Sequence, residues 1–383
     1  MAVVQLPLES RLSAYLSGKA AARKIPINGT FELTPLCNMA CRMCYVRMTK
    51  QQQEAVAPLQ SAQRWLDLAS AARDRGMLYL LLTGGEPFLR QDLPELMAAL
   101  QAMGLVISIN TNGTLITPET VDWLRKTPPS RINVTLYGAS DETYDRLCGN
   151  PQGFTQASQA IDLLLEAGMA VKLNCSITPH NQQDLEGILS FARSRNLPVQ
   201  ATSYMFPPLR RDSSMIGKNH RFSPEEAAYH TARIQLGLLG REEFIRRVKE
   251  EKPESLWEDS ECPIIEEQGE GIRCRAGKSS FWVTWEGKMI PCGMFPMEDA
   301  PNVFEAGFDA AWNRTVKAAE AIRLPAKCAG CPQKDLCRTC AAMVYTETGG
   351  FSAVPEYRCR MSGAFSSQRQ LLCRQIAETG GSL

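Results

Sequence analysis

The sequence has only three histidines among its 383 residues, almost no net charge and no long hydrophobic run. Because 18 or more consecutive apolar residues occur nowhere, no membrane-spanning helix is predicted. The first 28 residues lack the apolar core and cleavage site of a secretory signal. The 42 basic and 41 acidic side chains leave a formal charge of +1, which gives no long-range field toward nucleic acid or an anionic membrane. These absences predict a cytoplasmic protein that binds neither nucleic acid nor membranes.

Cysteine is abundant instead, with 14 copies placed unevenly along the chain. Three lie within residues 37–44, and eight lie between residues 262 and 359. Disulfides seldom persist in a reducing compartment, where clustered cysteines are more typical of metal sites. The two cysteine-rich segments are therefore predicted to bind metal.

Short apolar runs alternate with longer amphipathic stretches between residues 30 and 204. The runs predict strands at Thr30–Leu33, Leu78–Leu82, Val106–Asn110, Ile132–Leu136, Ala170–Ile177 and Val199–Tyr204. The amphipathic stretches predict helices at Ala62–Ala72, Leu93–Met103, Pro118–Lys126, Thr155–Ala167 and Leu185–Ser194. Strands separated by helices of this length indicate parallel βαβ units and an α/β fold. Six such strands predict a partial (β/α)6 TIM-like barrel, whose chemistry lies at the carboxyl ends of its strands.

The alternation ends after Met205, and one charged helix is predicted from Pro224 to Glu250. The basic residues before it are interpreted as a solvated face: Arg210, Arg211, Lys218 and Arg221. From Cys262 onward there is little apolar periodicity, so bound metal would supply stability that a core cannot. The predicted parts are an amino-terminal extension (1–28), the barrel (29–207), a bridge (208–260) and a small cysteine-rich domain with a carboxy-terminal helix (261–383).

The first cysteine cluster follows the first predicted strand directly and reads Cys37-Asn-Met-Ala-Cys41-Arg-Met-Cys44. Three thiolates at this spacing can bind three corners of a cubane iron–sulfur cluster. No fourth cysteine lies close by, which leaves one iron open for a bound molecule. The alternative is a zinc knuckle with a distant fourth ligand, which the scarcity of histidine disfavours.

A glycine-rich motif, Thr83-Gly84-Gly85-Glu86-Pro87, ends the second predicted strand. Its two glycines allow a ligand to approach the backbone, and Glu86 is a candidate partner for an ammonium group. Alone, such a sequence is equally consistent with a surface turn.

Together, the two motifs resemble the radical S-adenosylmethionine (SAM) superfamily over residues 30–204. The resemblance implies that Cys37, Cys41 and Cys44 hold a [4Fe–4S] cluster whose open iron chelates the amino and carboxylate groups of SAM. It also implies that residues 83–86 (Thr83, Gly84, Gly85 and Glu86) receive the methionyl amine. On the next strands, Asn110 matches a ribose or methionyl contact, and Thr135 matches a hydroxyl that contacts SAM.

One position departs from the family pattern. Many relatives have an arginine that meets the SAM carboxylate where this chain has Cys148, and Arg146 lies two residues earlier. Either Arg146 replaces that arginine or the carboxylate is held differently. Cys148 itself is predicted to be a packed thiol rather than a ligand.

The second cysteine-rich segment resembles the SPASM extension of radical SAM enzymes, which binds two auxiliary [4Fe–4S] clusters. Its cysteines are spaced as Cys274-x12-Gly287-x4-Cys292, then Cys328-x2-Cys331-x5-Cys337-x2-Cys340, then Cys359. The final pair usually has three intervening residues and here has two. The resemblance assigns one cluster to Cys328, Cys331, Cys337 and Cys359. It assigns the other to Cys274, Cys292 and Cys340, with Cys262 as the candidate fourth ligand. Two zinc ribbons are the structural alternative.

The resemblance implies three clusters, an electron donor such as flavodoxin or ferredoxin, and cleavage of SAM to methionine and a 5′-deoxyadenosyl radical. That radical abstracts hydrogen from the substrate, while the barrel positions the carbon and excludes water. No catalytic side chain beyond the cofactor ligands is assigned.

SPASM enzymes act mainly on peptides and proteins, including ribosomally made peptides that gain thioether or carbon–carbon crosslinks. Peptide or protein modification is therefore the first interpretation. The 28 residues before the barrel are too few for a peptide-binding module, so a leader peptide would need a separate binding protein. Sulfatase maturation is disfavoured, because Gly293 stands where those enzymes have aspartate. The alternatives are an enzyme acting on a small metabolite or tetrapyrrole, and a non-catalytic iron–sulfur electron carrier.

Overall fold

Six short parallel strands form the centre of the structure. The computed structural model describes residues 11–210, 213–218, 220–250, 271–329, 331, 333 and 337–378. The six strands lie side by side in chain order, each parallel to the next. They are β1 (Asn28–Glu32), β2 (Tyr79–Thr83), β3 (Val106–Thr111), β4 (Arg131–Thr135), β5 (Val171–Ser176) and β6 (Val199–Thr202). The predicted partial barrel and each of its six strands are confirmed.

Helices connect these strands, and short polar side chains cap several of them. The helices up to β6 are α1 (Arg11–Arg23), α2 (Lys50–Val56), α3 (Ala62–Asp74), α4 (Leu93–Ala102), α5 (Pro118–Lys126), α6 (Asp141–Cys148), α7 (Gly153–Glu166) and α8 (Leu185–Ser194). The hydroxyls of Ser61, Thr117 and Ser140 each accept a hydrogen bond from a backbone N–H in the first turn of α3, α5 and α6. The five predicted helices are confirmed, and α1, α2 and α6 are additional.

The two faces of the strands differ in chemistry, because successive side chains point to opposite sides. One face packs against the helices, as Phe31 does against Trp65 with ring centroids 5.0 Å apart. The opposite face is polar near the carboxyl ends of the strands, where it presents Glu32, Thr83, Asn110, Asn133, Thr135 and Asn174. The polar face therefore lines the interior of the barrel.

Two further strands extend the sheet beyond β1, where the sequence predicted only irregular structure. β7 (Ser280–Val283) pairs parallel with β1, and β8 (Met289–Ile290) pairs antiparallel with β7. Phe281 of β7 packs against Trp312, their ring centroids 6.0 Å apart. The described part of the chain thus has an eight-stranded sheet, two strands more than predicted.

The remaining helices surround the end of the chain. They are α9 (Pro224–Leu239), α10 (Arg241–Lys249), α11 (Val303–Ala306), α12 (Phe308–Ala321), α13 (Ala326–Ala329), α14 (Ala341–Thr348) and α15 (Glu356–Glu378). The single helix predicted from 224 to 250 is wrong, because Gly240 has φ +80° and separates α9 from α10. Ala232, Phe244, Leu372 and Ile376 form a small core that joins α9, α10 and α15. Among the described helices, none is long and apolar enough to cross a membrane.

Candidate iron–sulfur and SAM site

The first three cysteines lie on a loop that follows β1, at the carboxyl edge of the barrel. The loop is fixed to the end of α6: the backbone N–H of Ala40 donates to the carbonyl of Cys148 at 2.7 Å, and that of Arg42 donates to Leu147 at 3.1 Å. Cys41 is buried, whereas Cys37 and Cys44 are half-buried. The loop therefore has a defined backbone at the carboxyl edge of the barrel.

The three thiols are close enough to act on one another electrostatically. Burial raises the pKa of Cys37 to about 12, and the charges of Cys41 and Cys44 add to this effect. Three mutually repelling thiolates favour a bound cation, because a metal ion stabilises the deprotonated form of each ligand. The donor set therefore fits the open-cornered [4Fe–4S] cluster that the sequence predicts.

Cys148 directly contacts this loop. It is fully buried, as predicted, and its thiol hydrogen bonds to the side chain of Cys41, which lowers the pKa of Cys41. Arg146 lies two residues before Cys148, so it is about 200° around α6 and nearly on the opposite side of that helix. Its guanidinium donates to the carbonyl of His180 at 3.0 and 3.3 Å. That placement gives no support to a contact between Arg146 and the SAM carboxylate, which stays a prediction.

Arg47 is a candidate that the sequence interpretation missed. Its backbone N–H donates to Sγ of Cys44 at 3.2 Å, and its positive charge lowers the pKa of Cys41. Its Nε is buried without a hydrogen-bond partner in the described structure. An arginine three residues after the last cysteine is the sequence signal that could have identified it.

The two glycines of the second motif pack against the cysteine loop. A Cβ at Gly84 would clash with the carbonyl oxygen of Thr34, and one at Gly85 would clash with that of Leu36. The backbone N–H of Gly85 donates to Thr34 at 2.6 Å, and that of Glu86 donates to Leu36 at 2.8 Å. The glycines therefore allow two backbones to pack, and the close approach of a ligand to them stays a prediction.

Glu86 is fully buried and points into the protein. Its carboxylate accepts hydrogen bonds from the Thr111 hydroxyl and the Asn112 backbone N–H, both at 2.8 Å, and from the Phe88 N–H at 3.1 Å. The Asn112 amide in turn donates to Sγ of Cys37 at 3.7 Å. Both oxygens are thus engaged with the chain, so Glu86 positions the loop beside Cys37. Its predicted pairing with an ammonium group gains no support from this arrangement.

The buried carboxyl of Glu86 is expected to make the stability of the fold depend on pH. Burial raises its pKa from 4.5 to about 7, despite the hydrogen bonds that lower it. A carboxyl with a raised pKa stabilises the fold at pH values below its pKa in the unfolded chain. This stabilisation is lost as the pH rises through its pKa in the folded protein. We expect wild type to lose up to about 3 kcal/mol relative to Glu86→Gln between pH 4.5 and 8.

Urea unfolding of the reconstituted protein across that range measures the effect. Glu119→Gln is the control, because the pKa of the exposed Glu119 is lowered. The difference in free energy of unfolding between wild type and Glu119→Gln should therefore change only weakly with pH, and in the opposite direction. If the difference in free energy of unfolding between wild type and Glu86→Gln stays constant across this pH range, the raised pKa of Glu86 is contradicted.

The predicted SAM contacts on the strands share the interior face at the carboxyl edge. Thr83 is buried at the end of β2, and Thr135 is half-buried at the end of β4. The Asn133 amide donates to Oδ1 of Asn110 at 2.8 Å. The Oδ1 atoms of Asn133 and Asn174 are buried without hydrogen-bond partners in the described structure. These open acceptors, which the sequence interpretation missed, fit a polar cofactor in the barrel.

The cysteines of the second segment form two groups in the structure. Burial raises the pKa of Cys292 to about 12, and the charges of Cys274 and Cys340 raise it further, so these three are neighbours. Burial also raises the pKa of Cys328, and the charges of Cys359, Cys337 and Cys331 raise it further. The groups have the membership that the resemblance implies. Cys262 lies outside the described residues.

Among the described residues, neither group converges as the ligands of a single metal ion do. In the part of the chain that the structure describes, no three His, Cys, Asp or Glu side chains converge as a mononuclear site requires. The thiolates of a cubane bind separate irons and stand farther apart than the ligands of one ion. The zinc-ribbon alternative therefore gains no support from this arrangement.

A buried ion pair connects the barrel to the second cysteine segment. Arg210, which follows β6, donates to both oxygens of Glu32 at 2.7 and 2.9 Å and to the carbonyl of Gly293 at 3.2 Å. The Trp282 indole N–H donates to the same carboxylate at 3.1 Å. Arg210 and Glu32 are 7% and 0% exposed, so the solvated face predicted for Arg210 is wrong.

Comparisons with known proteins agree with this geometry. The family model described as the radical SAM superfamily matches residues 31–192, and that of the SPASM iron–sulfur cluster-binding domain matches residues 274–341. The chain belongs to the radical SAM superfamily, in the group with a carboxy-terminal SPASM domain. Both domains imply bound iron–sulfur clusters, and the first implies SAM.

Curated relatives within this group differ in their substrates. The chain is 27% identical to an AdoMet-dependent heme synthase of Methanosarcina barkeri, over 84% of this chain and 93% of the relative. It is 26% identical to the subtilosin biosynthesis protein AlbA of Bacillus subtilis, over 82% of this chain and 67% of the relative. Among solved structures, Streptococcus suis SuiB bound to S-adenosylmethionine has the same fold. It has a TM-score of 0.64 and 17% identity, over 87% of this chain and 77% of SuiB.

Proposed function

We propose that this protein is a radical SAM enzyme that modifies a peptide or protein. Cys37, Cys41 and Cys44 hold the cluster that binds SAM. When bound there, such a cluster would supply the electron for the cleavage of SAM and thus the radical for hydrogen abstraction. The placement of all three thiols at the carboxyl edge, next to the polar interior of the barrel, supports this assignment.

The chain's own residues orient SAM in this proposal. The free acceptors of Asn133 and Asn174 receive polar hydrogens of the cofactor, while Asn110 and Thr135 complete the same face. Arg47 is the proposed partner of the SAM carboxylate, because its charge acts on Cys41 and its Nε has no partner in the described structure. In this arrangement Cys148 packs against the cluster loop and leaves the carboxylate to Arg47.

The charge of the cavity at the carboxyl edge favours a peptide over a tetrapyrrole. A cavity of about 430 Å³ is lined by Glu286 and Glu298 and by two basic side chains, Lys288 and Arg210, of which Arg210 is already paired with Glu32. A tetrapyrrole with several carboxylate side chains would meet like charges there, which costs binding energy. Peptide modification is therefore the function that the site supports best, and this acidic cavity is the observation that carries it.

Gly293 also separates this chain from sulfatase maturases. A Cβ at Gly293 would lie 3.0 Å from the Trp282 ring, which is tighter than ordinary van der Waals contact, so an aspartate there would require the ring to shift. We propose that Cys274, Cys292 and Cys340 would hold one auxiliary cluster and that Cys328, Cys331, Cys337 and Cys359 would hold the other. When bound, these clusters would supply a path for electrons between the substrate and a flavodoxin or ferredoxin. A separate protein would present the leader peptide.

Mass spectrometry of the reaction products tests this function. Reconstituted enzyme is incubated anaerobically with SAM, dithionite and either short peptides encoded beside its gene or a carboxylated tetrapyrrole. We expect a peptide to lose two hydrogen atoms as a crosslink forms, and Cys41→Ala to leave it unchanged. Modification of the tetrapyrrole alone would establish the second candidate, which the similarity to heme synthase favours.

A further inference from the structure

The acidic cavity lies beside both cysteine segments. Its walls come from the segment after β6, from the turn between β7 and β8, and from the residues that follow Cys292. Because β7 runs parallel to β1, the turn that contains Glu286 lies at the same edge of the sheet as the cysteine loop. A group bound in this cavity therefore lies at the same edge of the sheet as the cysteine loop.

Glu286 presents an unused acceptor in this cavity. Its Oε2 is buried without a hydrogen-bond partner among the described residues. Arg210 lines the same cavity, but its guanidinium is engaged with Glu32 and the carbonyl of Gly293. A buried carboxylate oxygen without a partner is costly, and a cationic ligand would remove that cost.

The charges around the cavity leave an excess of negative charge. Glu286 and Glu298 line the cavity with two basic side chains: Lys288, whose ammonium donates to the carbonyl of Ala300 at 3.3 Å, and Arg210. Arg210 is paired with Glu32, so three carboxylates stand against two basic side chains in this region. The cavity therefore has room for one further positive charge beside Glu286.

The remaining wall is apolar and adaptable. Leu209, Ile216, Met294 and Met297 line it together with the ring of Tyr345. Methionine side chains fit ligands of varied shape, and a lysine or arginine stem packs its methylene groups on such surfaces while its charged end meets a carboxylate. A volume of about 430 Å³ accommodates a side chain of this kind together with a neighbouring residue.

We propose that this cavity binds a lysine or arginine side chain of the peptide substrate and that Glu286 pairs with its charge. The inference rests on the proposed peptide-modifying function and adds a specificity to it. A basic residue bound here fixes the register of the peptide, and thereby selects which neighbouring carbon lies next to SAM.

Binding of synthetic peptides to the reconstituted holoenzyme tests the inference. The probes are fluorescein-labelled acetyl-Ala-Phe-Lys-Phe-Ala-amide and analogues with norleucine or glutamate in place of lysine, measured by fluorescence anisotropy. We expect the lysine peptide to bind about tenfold more tightly than the norleucine peptide, and the glutamate peptide to bind most weakly. In Glu286→Gln, the preference for lysine should fall below about twofold.

The control variant is Glu119→Gln on α5, which should keep the full preference. Iron content is measured for each variant, because Glu286→Gln should retain its clusters if its fold is intact. Should Glu286→Gln lose iron, the wild-type comparison of lysine with norleucine decides alone. Equal binding of those two peptides would overturn the inference. If a peptide is nevertheless modified, the proposed function stands, whereas modification of a tetrapyrrole alone removes both.

Discussion

Replacing Cys37, Cys41 and Cys44 together by alanine is expected to remove about four iron atoms per chain from anaerobically reconstituted protein. The wild type should carry about 12, four for each of three cubane clusters. The loss should stop at one cluster, because the cysteines of the second segment form groups of their own around Cys292 and Cys328. Iron and sulfide analysis, with metal identification by mass spectrometry, measures the change.

Cys175→Ala is the matched control for this experiment. Cys175 is a buried cysteine on β5 that belongs to neither cysteine group, and burial raises its pKa to about 12, as it does for Cys37. This variant should keep the full iron content. A triple variant that retains about 12 irons, or a wild-type protein that contains zinc in place of iron, would contradict the cluster assignment.

Replacing Glu347 by glutamine is expected to destabilise the fold by about 3–5 kcal/mol, because it leaves a buried guanidinium without its counter-charge. Arg221 donates to both oxygens of Glu347 at 2.6 and 2.8 Å, and the two side chains are 6% and 4% exposed. The hydroxyl of Tyr204, just after β6, donates to the same carboxylate at 2.7 Å. The loss should therefore loosen the contact between the barrel and α14.

An exposed pair provides the comparison for Glu347. Arg360 and Glu225 form a salt bridge at 3.0 Å with side chains that are 64% and 44% exposed. Glu225→Gln should change the free energy of unfolding by less than about 1 kcal/mol, since water screens such pairs. Urea unfolding of both reconstituted variants measures the difference. Similar effects of the two substitutions would show that the burial of Arg221 does not matter.

Two buried arginines, Arg210 and Arg221, show where the sequence interpretation failed. Arg210 and Arg221 are predicted to lie on a solvated face, because runs of basic residues usually do. Their partners, Glu32 and Glu347, lie more than 100 residues away in the chain and come close only after the barrel closes. Local charge patterns contain no information about such distant pairs.

The strands of the barrel were predictable because each is a short apolar run followed by an amphipathic helix. This pattern is visible within a short stretch of the sequence. β7 was missed although its Ser-Phe-Trp-Val sequence has strong β propensity. It spans four residues, and its partner β1 lies about 250 positions earlier in the chain. Gly240, which divides the helix predicted from 224 to 250, was a visible local signal.

The candidate site was predictable in its cysteines and less so in its surroundings. The spacing of Cys37, Cys41 and Cys44 identified the loop, but the role of Gly85 depends on its contact with Leu36, almost 50 residues earlier. The unused acceptors of Asn133 and Asn174 are likewise visible only in the folded barrel. Glu286 had no motif at all, and its importance comes from the cavity around it.

Formation of 5′-deoxyadenosine tests the central claim most directly. Reconstituted wild-type enzyme is incubated anaerobically with SAM and dithionite, and the products are quantified by liquid chromatography and mass spectrometry. We predict 5′-deoxyadenosine and methionine from wild type and from Cys175→Ala, and neither from Cys41→Ala. Wild-type protein that is fully loaded with iron and yields no 5′-deoxyadenosine would contradict the account and indicate an electron carrier instead.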